Sequence, residues 1–248
     1  MKINKIYNED CLKTMSKMPD NYIDVSITSP PYNIGQGRKN GQSKKILKYD
    51  SYNDNLKKID YFNKTKVWID ELYRVTKHHI FYNIQEIKGN RGIINFLYQE
   101  YNDKIKEVFI WAKRNPPSNI NDKGVSRGYE FIFCISKDRP DVSVFSHCNF
   151  SNYNGDYVKN ILIKSVNTDQ ETKQHNFAFP LWLPRYFINY FSKNNDLIYD
   201  PFMGVGTTAC ASLDLDRNFI GSEISEQYTK IGNKRLLKYK NQMQLFKN

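Results

Sequence analysis

Apolar residues along the chain fall into short runs separated by polar turns. Ile3 to Tyr7 reads as a strand closed by Asn8-Glu9-Asp10-Cys11, and Leu12 to Met18 as a short helix ended by the turn Pro19-Asp20-Asn21. Ile23 to Ile27 reads as a buried strand. Pro30-Pro31 stops it, because proline has no N–H and a fixed φ, so neither a ladder nor a helix continues. In Ile59 to Lys77, Trp68, Leu72 and Val75 recur at helical spacing. Further strands are predicted at His79 to Ile84, Ile105 to Ala112, Tyr129 to Ile135, Leu197 to Tyr199 and Phe219 to Glu223. Further helices are predicted at Gly89 to Tyr101, at Trp182 to Lys193, around Ala209 to Leu213, and from Ile224 onward. Strands that alternate with helices imply a mostly parallel sheet covered on both faces, in a single α/β domain spanning 1–248.

Two intervals lack this periodicity. Gln36 to Lys48 carries Arg38, Lys39, Lys44, Lys45 and Lys48 with no acid between them, which reads either as phosphate contact or as a solvated lysine loop. Lys137 to Thr172 is polar and aromatic. Loops of that length in compact domains are usually functional or disordered, so 137–172 is expected to be a target-reading insert. Lys113-Arg114-Asn115-Pro116-Pro117 opens a third, basic loop.

Composition narrows the partners. The 248 residues carry 37 Lys and Arg against 26 Asp and Glu, a net charge of +11 that suits a polyanion such as nucleic acid. No run approaches the roughly 18 apolar residues of a membrane span, and the first residues lack the apolar core of a signal peptide. Cys11, Cys134, Cys148 and Cys210 are scattered, which reads as reduced thiols in a cytoplasmic protein. No His, Cys or Asp spacing suggests a metal. His78-His79 at a strand start reads as packing, and His175 as structural.

Two stretches carry chemistry. Ser29-Pro30-Pro31-Tyr32 places a hydroxyl, free carbonyls and an aromatic ring on rigid backbone at the carboxyl end of a strand, where open α/β sheets bind ligands. Alone, the motif is equally a turn after any buried strand. The second is Asp200-Pro201-Phe202-Met203-Gly204-Val205-Gly206-Thr207-Thr208, a turn between strand and helix whose glycines allow close backbone approach. Glu223 ends the next strand, where a carboxylate can accept from both ribose hydroxyls. The turn lacks the third glycine of a dinucleotide fingerprint and the lysine of a P-loop. That favours a nucleoside without phosphates, such as S-adenosylmethionine (AdoMet), over a pyrophosphate.

Together these stretches resemble the DNA amino-methyltransferases: Thr28-Ser29-Pro30-Pro31-Tyr32 their catalytic motif, Asp200 to Thr208 their AdoMet loop. The catalytic motif precedes the cofactor loop, as in the beta group of that family. Asn8-Glu9-Asp10-Cys11 is similar to the family's adenine contact. His175-Asn176-Phe177-Ala178-Phe179-Pro180 is similar to a segment that packs on AdoMet. The resemblance implies a Rossmann-like AdoMet-dependent methyltransferase fold with a mostly parallel seven-stranded sheet. It implies catalysis by Ser29, Pro30, Pro31 and Tyr32, and cofactor binding by Asp10, Cys11, Phe179, Pro180, Asp200, Pro201, Phe202, Gly204, Gly206, Thr207, Thr208 and Glu223. DNA contacts are expected from Arg38, Lys39, Lys44, Lys45, Lys48 and Arg114, and no metal is expected.

The implied reaction moves a methyl group from AdoMet to the exocyclic amino nitrogen of a base. That base must leave the stack to reach such a pocket. A serine where many adenine enzymes carry aspartate favours N4 of cytosine; N6 of adenine is the alternative, and a catalytically silent DNA-binding subunit a further one. The expected partners are DNA, a second copy of the chain and a restriction endonuclease.

Overall fold

A computed structural model describes residues 1–35, 52–116, 123–150, 157–166 and 180–245. Its strands are β1 (Lys5–Tyr7), β2 (Ile23–Thr28), β3 (Thr76–Ile84), β4 (Ile105–Lys113), β5 (Tyr129–Ser136), β6 (Ile161–Lys164), β7 (Leu197–Asp200) and β8 (Asn218–Ser222). The helices are α1 (Cys11–Met15), α2 (Lys58–Val75), α3 (Ile93–Tyr101), α4 (Trp182–Phe191), α5 (Thr207–Asp214) and α6 (Glu226–Leu245), with a short 3-10 turn at Lys88–Asn90.

The strands form one sheet in the order β1-β8-β7-β2-β3-β5-β4-β6. Every neighbouring pair is parallel except β3 with β5 and β4 with β5, so β5 alone runs against the rest. The sheet thus has eight strands where seven were expected. The additional strand, β6, comes from within 137–172 and pairs with β4 from Ile110↔Ile161 to Lys113↔Lys164. It is a four-residue edge strand with only Leu162 buried, so its sequence carries too little alternation to be read.

Both faces are covered, which is why the central strands read as nearly unbroken apolar runs. Ile80, Tyr82 and Ile84 of β3 join Tyr61, Trp68 and Leu72 of α2 and Leu97 of α3 on one face. Phe81 points the other way and packs with Phe187, Ile188 and Phe191 of α4. This two-residue alternation across one strand divides the core into two layers.

Two consequences of the topology concern the site. First, β1, β2, β3, β7 and β8 are parallel, so their carboxyl ends share one edge. Because β5 is antiparallel, its first residues arrive at that same edge. Secondly, residues after Ser136 leave from the opposite edge. There Phe145 packs edge-on against His79 and Phe191, and His147 Nε2 bonds Asp196 Oδ2 at 2.7 Å. His79 is fully buried, bonded to Ser136 Oγ and the His147 carbonyl. Burial lowers its pKa to about 4, consistent with a packing role. Phe145 and His147 thus anchor the first part of the 137–172 interval, which is otherwise largely exposed, at the edge opposite the candidate site. Among the described residues no helix is long and apolar enough to cross a membrane, and no cluster of side chains could hold a metal.

Candidate active site at the carboxyl edge of the sheet

A cavity of about 710 Å³ opens along this edge. Its size suits a nucleoside-sized ligand plus a second planar group. One end is lined by Asp10, Cys11, Pro201, Phe202, Gly204 and Glu223, the other by Ser29, Tyr32, Asn83, Lys113 and Glu130.

The first end is organised by backbone. Gly204 and Gly206 adopt φ of 54° and 83°, the left-handed region that a side chain disfavours, and so turn the chain from β7 into α5. Glu223, 7% exposed, accepts from Gly204 N–H through one oxygen and Ser225 N–H through the other, each at 2.8 Å. These two bonds fix the orientation of the carboxylate at the cavity wall. Asp10 caps α1 by accepting from Leu12 N–H at 2.8 Å and also lines the cavity. Phe202 forms an apolar wall, braced edge-on by Trp68 with ring centroids 4.9 Å apart.

Asp200 sits beneath the loop. Fully buried, it accepts from Thr28 Oγ1 at 2.8 Å, Thr208 Oγ1 at 2.6 Å and Phe202 N–H at 3.0 Å. It therefore ties the end of β2, just before Ser29, to the cofactor-type loop after β7. Burial raises its pKa to about 6 despite those donors. Asp200, Gly206 and Thr208 shape the loop without lining the cavity, whereas Thr207 and Pro180 line it. Arg235 of α6, absent from the sequence reading, donates to Val205 O and Thr207 Oγ1 and holds the loop from behind.

The second end is organised by side chains from the turn after β2 and from the three strands β3, β4 and β5. Ser29 Oγ lies 2.8 Å from Tyr32 OH. Tyr32 donates to Glu130 Oε2 at 2.9 Å, and Asn83 Nδ2 donates to the same oxygen at 2.7 Å and to Tyr32 OH at 2.9 Å. Lys113 Nζ pairs with Glu130 Oε1 at 2.6 Å, the two side chains being 8% and 11% exposed. The Tyr32 hydroxyl is raised well above its ordinary pKa, first by burial and then by the Glu130 charge, so it stays protonated.

The turn itself is clamped. Tyr61 donates to the Pro31 carbonyl at 2.8 Å, while no hydrogen bond reaches the Pro30 carbonyl among the described residues. Asn33, at φ 61°, accepts from Leu56 N–H and donates to the Leu56 and Gly89 carbonyls. Asp54 accepts from the backbone of Asn33 and Ile34. Gly89 has no room for more: a Cβ there would stand 1.7 Å from the Asn33 carbonyl oxygen.

The sequence-predicted residues Ser29, Pro30, Pro31 and Tyr32 thus meet Asp10, Cys11, Pro201, Phe202, Gly204 and Glu223 in one cavity. Arg38, Lys39, Lys44, Lys45, Lys48 and Phe179 lie outside the described residues. Arg114 is exposed next to β4 and does not line the cavity, whereas Arg127, not singled out from sequence, does. Asn83, Lys113 and Glu130 were also missed. The clearest signal among them was Glu130, the one charged residue of the otherwise apolar strand YEFIFCIS; Lys113 ends IKEVFIWAK, which also carries Lys106 and Glu107.

A DNA methylase family profile matches residues 23–234. The type II methyltransferase M2.MboI of Moraxella bovis is 30% identical over 237 residues, covering 93% of this chain and 86% of its own. M.HinfI of Haemophilus influenzae is 27% identical over 254 residues, covering 96% and 69%. Among solved structures, PvuII DNA methyltransferase, described as cytosine-N4-specific, matches with a TM-score of 0.72 at 19% identity over 92% of this chain and 84% of its own. At that identity the likeness concerns the fold.

Proposed function

The chain belongs to the N6/N4 DNA methylase family, and from that premise we propose that it methylates the exocyclic amino nitrogen of a flipped base in DNA, N4 of cytosine, using AdoMet. The first end of the cavity fits that cofactor. Glu223 places an oriented carboxylate in the cavity wall where ribose hydroxyls can reach it, Phe202 offers an apolar wall, and Arg235 is engaged behind the loop rather than set to take a pyrophosphate. When bound, AdoMet supplies an electrophilic methyl group.

The chain's own residues prepare the amine. An exocyclic amino group is a poor nucleophile because its lone pair is delocalised into the ring. Acceptors aimed at its two N–H bonds favour the pyramidal form that can attack. Ser29 Oγ and the Pro30 carbonyl supply them from rigid backbone, acting by positioning and electrostatic stabilisation. Tyr32 provides a ring beside the base. Extracting a base from the duplex costs roughly a few kcal/mol, which phosphate contacts from Arg127 and from the basic interval 36–48 offset.

The observation that carries this reading is the meeting of Ser29-Pro30-Pro31-Tyr32 and Glu223 in a single cavity. The preference for cytosine rests on Ser29, an uncharged acceptor at the position where many, though not all, of the adenine enzymes that the chain resembles carry aspartate. Incubation with radiolabelled AdoMet and unmethylated DNA tests it: label is expected in the DNA. AdoMet binding without transfer would favour the silent subunit instead.

A further inference from the structure

Resting on that proposed activity, we infer that Glu130, anchored by Lys113, orients the hydrogen bonds of Tyr32 and Ser29 and takes, through those two hydroxyls, the proton that the target amine sheds.

The direction of hydrogen bonding along Ser29–Tyr32–Glu130 follows from one fact: an ionised carboxylate only accepts. Lys113 Nζ at 2.6 Å holds one Glu130 oxygen, so the other faces Tyr32 and Asn83. Tyr32 must then donate to Glu130. Its own oxygen is left to accept, from Asn83 Nδ2 at 2.9 Å and from Ser29 at 2.8 Å. Ser29 therefore spends its proton on Tyr32; Asn83 Nδ2 approaches its oxygen at 3.4 Å, and the remaining acceptor position is the one that serves the cavity. Without that polarity, a serine hydroxyl could as readily point its proton at the amine and oppose attack.

The same chain carries a proton outward. As the amino nitrogen forms its bond to the methyl carbon, the donor's S–C bond breaks and the sulfur keeps that electron pair. The nitrogen then bears a positive charge and one proton too many. That proton passes to Ser29 Oγ, the serine proton to Tyr32 OH, and the tyrosine proton to Glu130 Oε2. The product is a neutral methylated amine and a neutral carboxylic acid. Loss of the proton restores conjugation of the amine with the ring, which drives the transfer. Tyr32 stays protonated at rest, so it relays in concert rather than as a standing phenolate. Glu130 lines the cavity and gives its proton to water once the product base leaves.

Two variants test this. Tyr32→Phe keeps the ring and the Lys113–Glu130–Asn83 contacts but cuts the chain. Glu130→Gln keeps the shape; with its carbonyl facing Lys113, its amide would confront two donors. In single turnovers with radiolabelled AdoMet and unmethylated DNA of mixed sequence, each variant should slow transfer about 100-fold. AdoMet and DNA affinities and the melting temperature of Tyr32→Phe should barely change. The double variant should be no slower than the slower single one, because both cut one path. If Glu130→Gln fails to fold, Tyr32→Phe alone decides. A Tyr32→Phe enzyme within about threefold of wild type, or losses that multiply in the double variant, would overturn the inference. Wild-type protein that transfers nothing to DNA would instead overturn the proposed function beneath it.

Discussion

The two ends of the cavity are built on the same sheet edge by different means. At the cofactor end, consecutive backbone does the shaping: two left-handed glycines, a carboxylate held by amide groups, and buried Asp200 tying the loop to β2. At the base end, side chains distant in sequence converge, with Ser29 and Tyr32 after β2, Asn83 in β3, Lys113 in β4 and Glu130 in β5. A contiguous loop tolerates change locally. A buried polar network is more exacting, since each member left unpaired costs the desolvation of its partner.

The largest effect should therefore come from the base end. Lys113→Met leaves the Glu130 charge buried without its cation, and breaking such a pair typically costs about 3–5 kcal/mol. Urea unfolding should show that loss, and adding Glu130→Gln should return much of it. A Lys113→Met protein as stable as wild type would mean the base end is not a coupled network. Ser29→Ala should lower turnover about 100- to 1000-fold, as removal of one pre-aimed polar group does elsewhere, while AdoMet affinity measured by calorimetry persists. Equal loss of AdoMet binding would erase the division between the two ends.

The cofactor end offers a pH test. Burial pushes folded Asp200 up to about 6 from an ordinary value of 3.8, so the unfolded chain ionises first. Stability should fall as pH rises from about 4 to about 6, by about 3 kcal/mol, and then level off. Asp200→Asn should lack that slope in urea titrations at pH 4.5 and 7; an unchanged slope would assign it to another group. The smallest effect concerns DNA. Replacing Lys44 and Lys45 by alanine should reduce the slope of log affinity against log salt by about 0.9 for each lost phosphate contact. An unchanged slope would make them solvated lysines.

The contrast between the two ends also explains what was legible in the sequence. Asp200 to Thr208 and Glu223 lie close together along the chain, in a strand, turn, helix and strand that can be read locally. So does Ser29 to Tyr32, because two prolines advertise a stop. Asn83, Lys113 and Glu130 carry no such local mark. They meet only because β5 runs antiparallel and brings its amino end to the edge where β3 and β4 finish. Strand direction is not written in periodicity. Within the 137–172 interval, Phe145 and Phe150 pack on Phe191 at the far edge, a contact that composition alone does not reveal. Helix limits moved by a few residues, as at α1, where Asp10 caps a helix that ends at Met15 rather than Met18.

The central claim is that Ser29 and the Pro30 carbonyl receive the amino group of a flipped cytosine. Unmethylated DNA incubated with wild-type protein and AdoMet, then digested to nucleosides and separated with mass detection, tests it most directly. N4-methylcytosine is predicted with the wild type and absent with Ser29→Ala. N6-methyladenine alone would contradict the choice of base, and unmodified nucleosides from protein that binds both DNA and AdoMet would contradict the catalytic reading of the site.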